Sequence, residues 1–190
     1  LFRSIAGLSF AIRAAQHGSV RVIAKGDALD SNTAWAQGGI ASVLPEALRD
    51  GGDSIDLHVA DTLDAGAGLC DEDAVRSILG EGAATIDELV TSGVGFDRDD
   101  AGRYQLGREG GHSKRRILHC HDTTGRAVAE ALLERARSTP DITILEHHHA
   151  IDLITTGKLG AVTEDRVIGA YVLDPSSGEV HVFHSDRVIL

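Results

Sequence analysis

Ile5-Ala6-Gly7-Leu8-Ser9-Phe10-Ala11-Ile12-Arg13-Ala14-Ala15 is Ala-rich and apolar at helical spacing, stops at Gly18, and leads into Val20-Arg21-Val22-Ile23-Ala24. Apolar residues three and four apart give a helix one buried face, and a glycine just past the last of them marks its end. The β-branched run that follows reads as a short buried strand ending at Lys25. Further on, 56–69 is expected to be helical. Asp71-Glu72-Asp73 supplies acidic first-turn charge to a helix expected to continue through Leu79 to Val90 despite Gly80 and Gly82. Asp122-Thr123-Thr124-Gly125 opens another helix over 126–137, with Pro140 beyond its end. Ile142-Thr143-Ile144-Leu145 reads as a strand, and 167–173 with 179–183 as a hairpin around Pro175-Ser176-Ser177-Gly178. Arg187-Val188-Ile189-Leu190 reads as the start of a further strand. Strand, helix and strand in this order, with an antiparallel addition late, predict an α/β fold. The expected architecture is Rossmann-like: a parallel sheet plus an antiparallel β-hairpin, incomplete at both ends.

Composition narrows the class. The chain has 190 residues, 42% of them hydrophobic, enough for one core, and a formal net charge of -11. That acidity argues against nucleic acid as a partner. No apolar run approaches the roughly 20 residues a membrane helix requires, and no signal peptide opens the chain. The two cysteines, Cys70 and Cys120, suit a reducing cytoplasm better than a disulfide scaffold and read as core thiols. Leu1 is not an initiator methionine, Met is absent, and the chain stops on an apolar run, so a piece of a longer protein is expected.

Against the acidic background stands a basic knot, Leu106-Gly107-Arg108-Glu109-Gly110-Gly111-His112-Ser113-Lys114-Arg115-Arg116. Paired glycines let a ligand approach the backbone, and arginines grip carboxylates or phosphates with two parallel hydrogen bonds. The embedded Glu109 repels a purely anionic ligand. The pattern therefore suits a ligand bearing a positive group as well, such as an amino acid with an extra carboxylate. The alternative for Glu109 is a loop carboxylate paired to Arg108 or Arg115, and at least one of Arg108, Arg115 and Arg116 is expected on a solvated face.

Two histidine clusters invite a metal reading. In His147-His148-His149 adjacent strand residues point to opposite faces and cannot converge, so an edge-strand end is expected. His119-Cys120-His121 lacks a second ligand pair at usable spacing. No metal site is expected. The dinucleotide fingerprint should lie at the first helix, where Phe2-Arg3-Ser4-Ile5-Ala6-Gly7 keeps only the last of three glycines. Taken alone, that stretch reads as a buried Ala-rich helix.

Three stretches in order change that weighting. Ser31-Asn32-Thr33-Ala34-Trp35-Ala36-Gln37-Gly38-Gly39-Ile40-Ala41, the knot at 108–116, and His119-Cys120-His121-Asp122-Thr123-Thr124-Gly125-Arg126 together closely resemble the L-aspartate oxidases. These are a branch of the succinate dehydrogenase and fumarate reductase flavoproteins, and the resemblance runs from Ile5 to Leu190. It implies an FAD-binding domain over 1–190, present in part, with the capping domain and the C-terminal helical domain absent and the segment inactive alone. By resemblance, Ser4, Ile5, Ala6 and Gly7 hold the pyrophosphate, Lys25 lies near the adenosine ribose, and the backbone at Ala150 touches adenine. Asn32, Thr33, Ala34, Trp35, Ala36, Gln37, Gly38 and Gly39 line the isoalloxazine and phosphate side, with Trp35 stacking near the flavin rather than filling core. Branch members that bond flavin covalently carry histidine where this chain has Asn32, so FAD is expected to be held non-covalently. Members acting on plain dicarboxylates lack the carboxylate that stands here as Glu109, which by similarity faces the substrate ammonium.

The resemblance implies oxidation of L-aspartate to iminoaspartate, with oxygen or fumarate as acceptor, feeding quinolinate and NAD synthesis, with a possible hand-off to quinolinate synthase. Phe2 and Ser4 depart from the pattern, because both occupy glycine positions where a side chain crowds the phosphate turn. An edge effect of the segment is the preferred explanation. A fumarate reductase or succinate dehydrogenase flavoprotein is the rival inside the enzyme class, opposed by Asn32 and Glu109. A non-catalytic nucleotide-binding segment with a decayed cofactor site is the rival outside it.

Overall fold

The computed structural model describes residues 4–49, 51–160 and 164–190, which fall into two compact units, Leu1–Ser31 with Leu133–Leu190, and Asn32–Leu132. The expected departure at Phe2 lies outside the described residues.

The first unit begins with helix α1 (Ile5–Ala14), capped by Ser4, whose Oγ accepts the Gly7 N–H at 3.4 Å. Gly7, Leu8 and Ala11 form its buried face, and Gly18 takes a φ of +156° just before β1 (Val20–Ile23). Strand β4 (Ile142–Leu145) pairs with β1 in parallel, Val20 opposite Ile142 through Ile23 opposite Leu145. This is the expected strand–helix–strand core.

The late antiparallel addition is larger than the predicted hairpin. β6 (Val167–Asp174) pairs with β7 (Glu179–His184), but also with β5 (His149–Thr155), giving a three-stranded sheet in the order β5-β6-β7. The sequence predicts only an edge-strand end at 147–149, and β5 itself carries no clear apolar alternation, with Asp152 in its middle. The predicted strand at 187–190 does not form. Instead Ser185 Oγ accepts the Arg187 N–H and donates to the Arg187 carbonyl, a local bonding pattern that competes with a ladder.

The second unit carries α2 (Asn32–Trp35), the two-residue strand β2 (Ile40–Ala41), a 3₁₀ turn at Glu46–Leu48, and helices α3 (Ile55–Ala65), α4 (Glu72–Gly80) and α5 (Gly82–Thr91). β2 pairs antiparallel with β3 (Ile117–Leu118). Helix α6 (Thr124–Arg137) starts in this unit and ends in the first. The predicted single helix through Val90 is in fact α4 and α5, broken at Glu81 between Gly80 and Gly82, where glycine weakens helix continuity. The helix expected over 56–69 ends at Ala65, and Ala67 and Gly68 turn the chain with φ of 49° and 87°.

Candidate functional site

In the second unit the basic knot becomes a closed loop. Gly107 and Ile117 bond across its neck, with the Gly107 N–H reaching the Ile117 carbonyl at 2.8 Å and the Arg116 and Ile117 N–H groups both reaching the Gly107 carbonyl at 3.1 Å. Inside the lobe, the His112 N–H donates to the Glu109 carbonyl at 3.3 Å. Gly111 sits at φ +82°, a conformation glycine adopts without penalty.

The four cations of the knot do not converge on one surface. Arg116 turns inward and is fully buried. Its Nε and Nη2 grip Asp53 at 3.2 and 2.7 Å, and its Nη1 reaches Asp61 at 2.6 Å. Asp53 is 2% exposed and its Oδ1 also accepts the Ser54 N–H, at the point where Ser54 caps α3. Helix α3 then presents His58 and Asp61 three residues apart, on one face. Asp61 Oδ2 additionally takes the Ser113 N–H and hydroxyl, both at 2.9 Å. Burial opposes the Asp61 charge, but the Ser113 backbone bond and Arg116 outweigh it and hold the carboxyl below its ordinary range. Arg116 likewise loses by desolvation and gains more from Asp53 and Asp61, so its guanidinium is held above its usual range.

A buried guanidinium facing two carboxylates pins the loop to α3. The sequence predicts a ligand grip for the knot, with at least one of Arg108, Arg115 and Arg116 on a solvated face; Arg116 takes neither place, while Arg108 and Arg115 are exposed. Lys114 is spent on the Gly51 carbonyl at 3.0 Å and Arg115 on the Leu106 carbonyl at 3.4 Å, while Arg108 is exposed. The Glu109 side chain is exposed and makes no ion pair with Arg108, Arg115 or any other described residue.

Two histidines complete this cluster. The His112 ring lies 5.4 Å from that of His58, and its Nδ1 is 3.3 Å from Arg116 Nη1. His58 is 3% exposed, and its Nδ1 is buried without a partner among the described residues. Desolvation first, then the positive charge of Arg116 and the electrostatic influence of His112, lower its pKa from 6.5 to about 4.

The motif over Asn32–Gly39 forms α2 and a loop, with Asn32, Trp35, Ala36, Gln37 and Gly38 exposed and Thr33, Ala34 and Gly39 half-buried. Trp35 is 77% exposed, so it does not fill core. A Cβ at Gly38 would meet nothing within 4 Å, whereas one at Gly39 would strike Ile117 and the Leu118 carbonyl. Gly39 is thus a glycine because β3 passes against it. Gly125 was not singled out as a site residue, yet its N–H donates to the Ala36 carbonyl at 3.1 Å and a Cβ there would collide with the Thr33 and Ala36 carbonyls. Bare backbone at the start of α6 therefore holds the motif loop in place. The signal was present in Thr124-Gly125, read only as a helix start. Asp53, Asp61 and His58 had no signal, since acids and a histidine at the start of an amphipathic helix are ordinary.

In the first unit, Ser4 serves as an N-cap, and a phosphate at this helix end would compete with its hydroxyl for the Gly7 N–H. Ile5 and Ala6 occupy the same first turn and Gly7 is buried in it. Lys25 and Ala150 line one shallow recess together with Ile23, His148 and His149.

The histidine clusters serve local structure. His147 adopts φ +56° and pairs with Asp27, and His148 Nδ1 donates to the Glu146 carbonyl at 2.6 Å. Asp97 collects the His121 N–H at 2.7 Å and the His119 ring at 2.9 Å, and its carboxyl is held low, chiefly by that His121 backbone bond. No cluster able to hold a metal ion occurs among the described residues. Cys120 is a buried thiol whose pKa burial pushes up, while Cys70 is half-buried, so only Cys120 is a full core thiol. No helix among the described residues is long and apolar enough to cross a membrane.

Comparison with known proteins adds three findings. The family model described as FAD binding domain matches residues 5–190. Among curated proteins, L-aspartate oxidase of Vibrio cholerae serotype O1 is 45% identical over 190 aligned positions, and L-aspartate oxidase 1 of Ralstonia nicotianae 47% over 188. The alignments cover 97% and 98% of this chain but 34% of each relative, so the chain spans about a third of their length. Among solved structures, E. coli quinol fumarate reductase superposes with a TM-score of 0.84 at 26% identity, covering 97% of this chain and 30% of that one.

Proposed function

From the premise that the chain belongs to the FAD-binding domain family, we propose that it forms the flavin-holding part of an L-aspartate oxidase. The relatives that carry that name are 42–47% identical to it. The proposed reaction takes two electrons and two protons from L-aspartate to give iminoaspartate, with oxygen or fumarate receiving them. Iminoaspartate then feeds quinolinate and NAD synthesis, with a hand-off to quinolinate synthase and a cytoplasmic setting as further parts of the proposal.

The residues present fit FAD. The backbone at Gly38 is open to close approach, Trp35 presents an exposed ring for stacking, and Lys25 and Ala150 share one shallow recess. Bound FAD supplies the two-electron chemistry. In the N-terminal unit, Ser4, Ile5, Ala6 and Gly7 would meet the pyrophosphate, Lys25 the ribose and the Ala150 backbone the adenine. In the other unit, Asn32 through Gly39 would carry the flavin end, without a covalent bond because Asn32 is no histidine. The capping and C-terminal helical domains of the family are assigned to the part of the protein outside this chain.

The observation that carries the reading is the Glu109 carboxylate, exposed and without an ion pair among the described residues, on a loop fixed from beneath by Arg116. An exposed carboxylate without an ion pair is suited to an ammonium group. A hydrogen bond to a charged group contributes about 1.5–3 kcal/mol, so Glu109→Gln should raise the KM for L-aspartate roughly ten- to a hundredfold in the complete protein. Succinate, which has no ammonium, should bind as before or more tightly. If both ligands weaken in parallel, amino-acid selectivity does not reside at Glu109. The dicarboxylate rival predicts turnover of succinate or fumarate with no preference for the amino group.

A further inference from the structure

We propose that His112 is a hydrogen-bond donor to a carboxylate of the ligand, its ring set in the Nε2–H form by Arg116. This rests on the reading of the Glu109 loop as the one that meets an amino dicarboxylate.

The tautomer follows from donor inventory. Arg116 Nη1 lies 3.3 Å from His112 Nδ1, and a guanidinium carries N–H donors and no acceptor. Nδ1 is therefore the accepting nitrogen, and the proton of the neutral ring sits on Nε2. Arg116 has no freedom to reverse this. Its Nε and Nη2 are committed to Asp53 and its Nη1 to Asp61, and its side chain is fully buried. The ring orientation is thus dictated by a rigid ion-pair cluster rather than by solvent.

The opposite ring nitrogen is left over. His112 Nε2 has no partner among the described residues, and it is not among their buried unpartnered atoms, which are Ser42 Oγ and His58 Nδ1. An N–H donor that reaches solvent from a half-buried ring is available to a ligand. Its position in the loop supplies the ligand class. His112 and Glu109 close one turn through the His112 N–H and the Glu109 carbonyl, with Gly110 and Gly111 between them. A carboxylate suited to an ammonium and a neutral N–H suited to a carboxylate so stand in one turn, the complementary pair for an α-amino acid. Beneath them His58, neutral because it is buried, puts no charge against the ring at 5.4 Å.

Two substitutions separate a ligand donor from a structural acceptor. The side-chain amide of glutamine places its N–H near the position of Nε2, whereas that of asparagine places its oxygen near the position of Nδ1. His112→Asn keeps an acceptor for Arg116 and loses the outward donor. His112→Gln does the reverse. Succinate is the probe, its affinity read by equilibrium titration on the complete flavin-loaded protein, with L-aspartate oxidation measured alongside. His112→Asn is expected to weaken succinate roughly tenfold or more, and His112→Gln to recover most of that loss. Retained succinate affinity in His112→Asn, or weaker binding in His112→Gln than in His112→Asn, overturns the assignment. Failure of the underlying reading shows separately, as a wild-type protein that does not oxidise L-aspartate. Thermal melts of both variants check that Arg116 still holds the loop, and a succinate loss that tracks the melting temperature instead of the donor also overturns the proposal.

Discussion

Acidification should weaken the fold through His58 before it touches the carboxylates. The ring is 3% exposed, and burial together with Arg116 and His112 lowers its pKa from 6.5 to about 4. Asp53 and Asp61 pull the other way and lose. Above the ordinary histidine value neither folded nor unfolded chain binds a proton here, so the residue contributes no pH dependence. Below it the unfolded chain takes up a proton that the folded chain refuses, and stability falls as pH falls. The loss is complete once pH drops through the folded value. At about 1.4 kcal/mol per pH unit, the interval between 6.5 and about 4 amounts to ~3 kcal/mol. Asp61 and Asp97 are held below the ordinary carboxylate range in the folded chain, so their stabilisation is lost only further into acid. Urea denaturation of the wild type and His58→Leu between neutral pH and about pH 4.5 isolates the histidine, because the other titrating groups cancel in the difference. The variant is expected to gain on the wild type by roughly 2–3 kcal/mol across that range. Parallel stability curves for the two proteins would refute the argument and mean that His58 opens to solvent or finds a partner for its Nδ1.

Two further outcomes follow from the same geometry. Arg116→Met leaves Asp53 buried without its counter-ion and should cost about 3–5 kcal/mol of stability by chemical denaturation, whereas removing one partner of an exposed pair such as Arg76–Asp56 should cost well under 1 kcal/mol. Flavin bound by the complete protein should be released on acid or heat precipitation because Asn32 offers no histidyl nitrogen, and fluorescence retained by the denatured band on a gel would contradict this.

The core of the first unit was legible because its signals are local. Apolar spacing, a glycine stop and β-branched runs place α1, β1 and β4 within a residue or so of where they lie. Strand β5 escaped because its pattern is broken by Asp152, and its pairing with β6 is a tertiary fact. The split of α4 from α5 was legible in Gly80 and Gly82 but was overridden by the apolar period. At the candidate site, the sequence showed which residues cluster in the chain but not which way they turn. Arg116 and Arg115 are neighbours of identical type, and one is buried between two aspartates while the other is exposed. What decides between them is the presence of Asp53 and Asp61, brought in from 63 and 55 residues away.

That inward turn changes the chemistry expected of the loop. Read as four cations, the knot was suited to gripping an anion by charge. Folded, Arg116 is committed to Asp53 and Asp61, while Lys114 and Arg115 bond to backbone carbonyls. A free arginine on a glycine loop would sample many rotamers and bind through a mobile charge. An arginine locked in a carboxylate cage fixes the backbone and the His112 ring instead, and leaves selectivity to groups of defined position. Recognition of the amino group therefore needs no cation from the knot, and a carboxylate arriving beside it must be met by a neutral donor, the role that His112 is placed to fill.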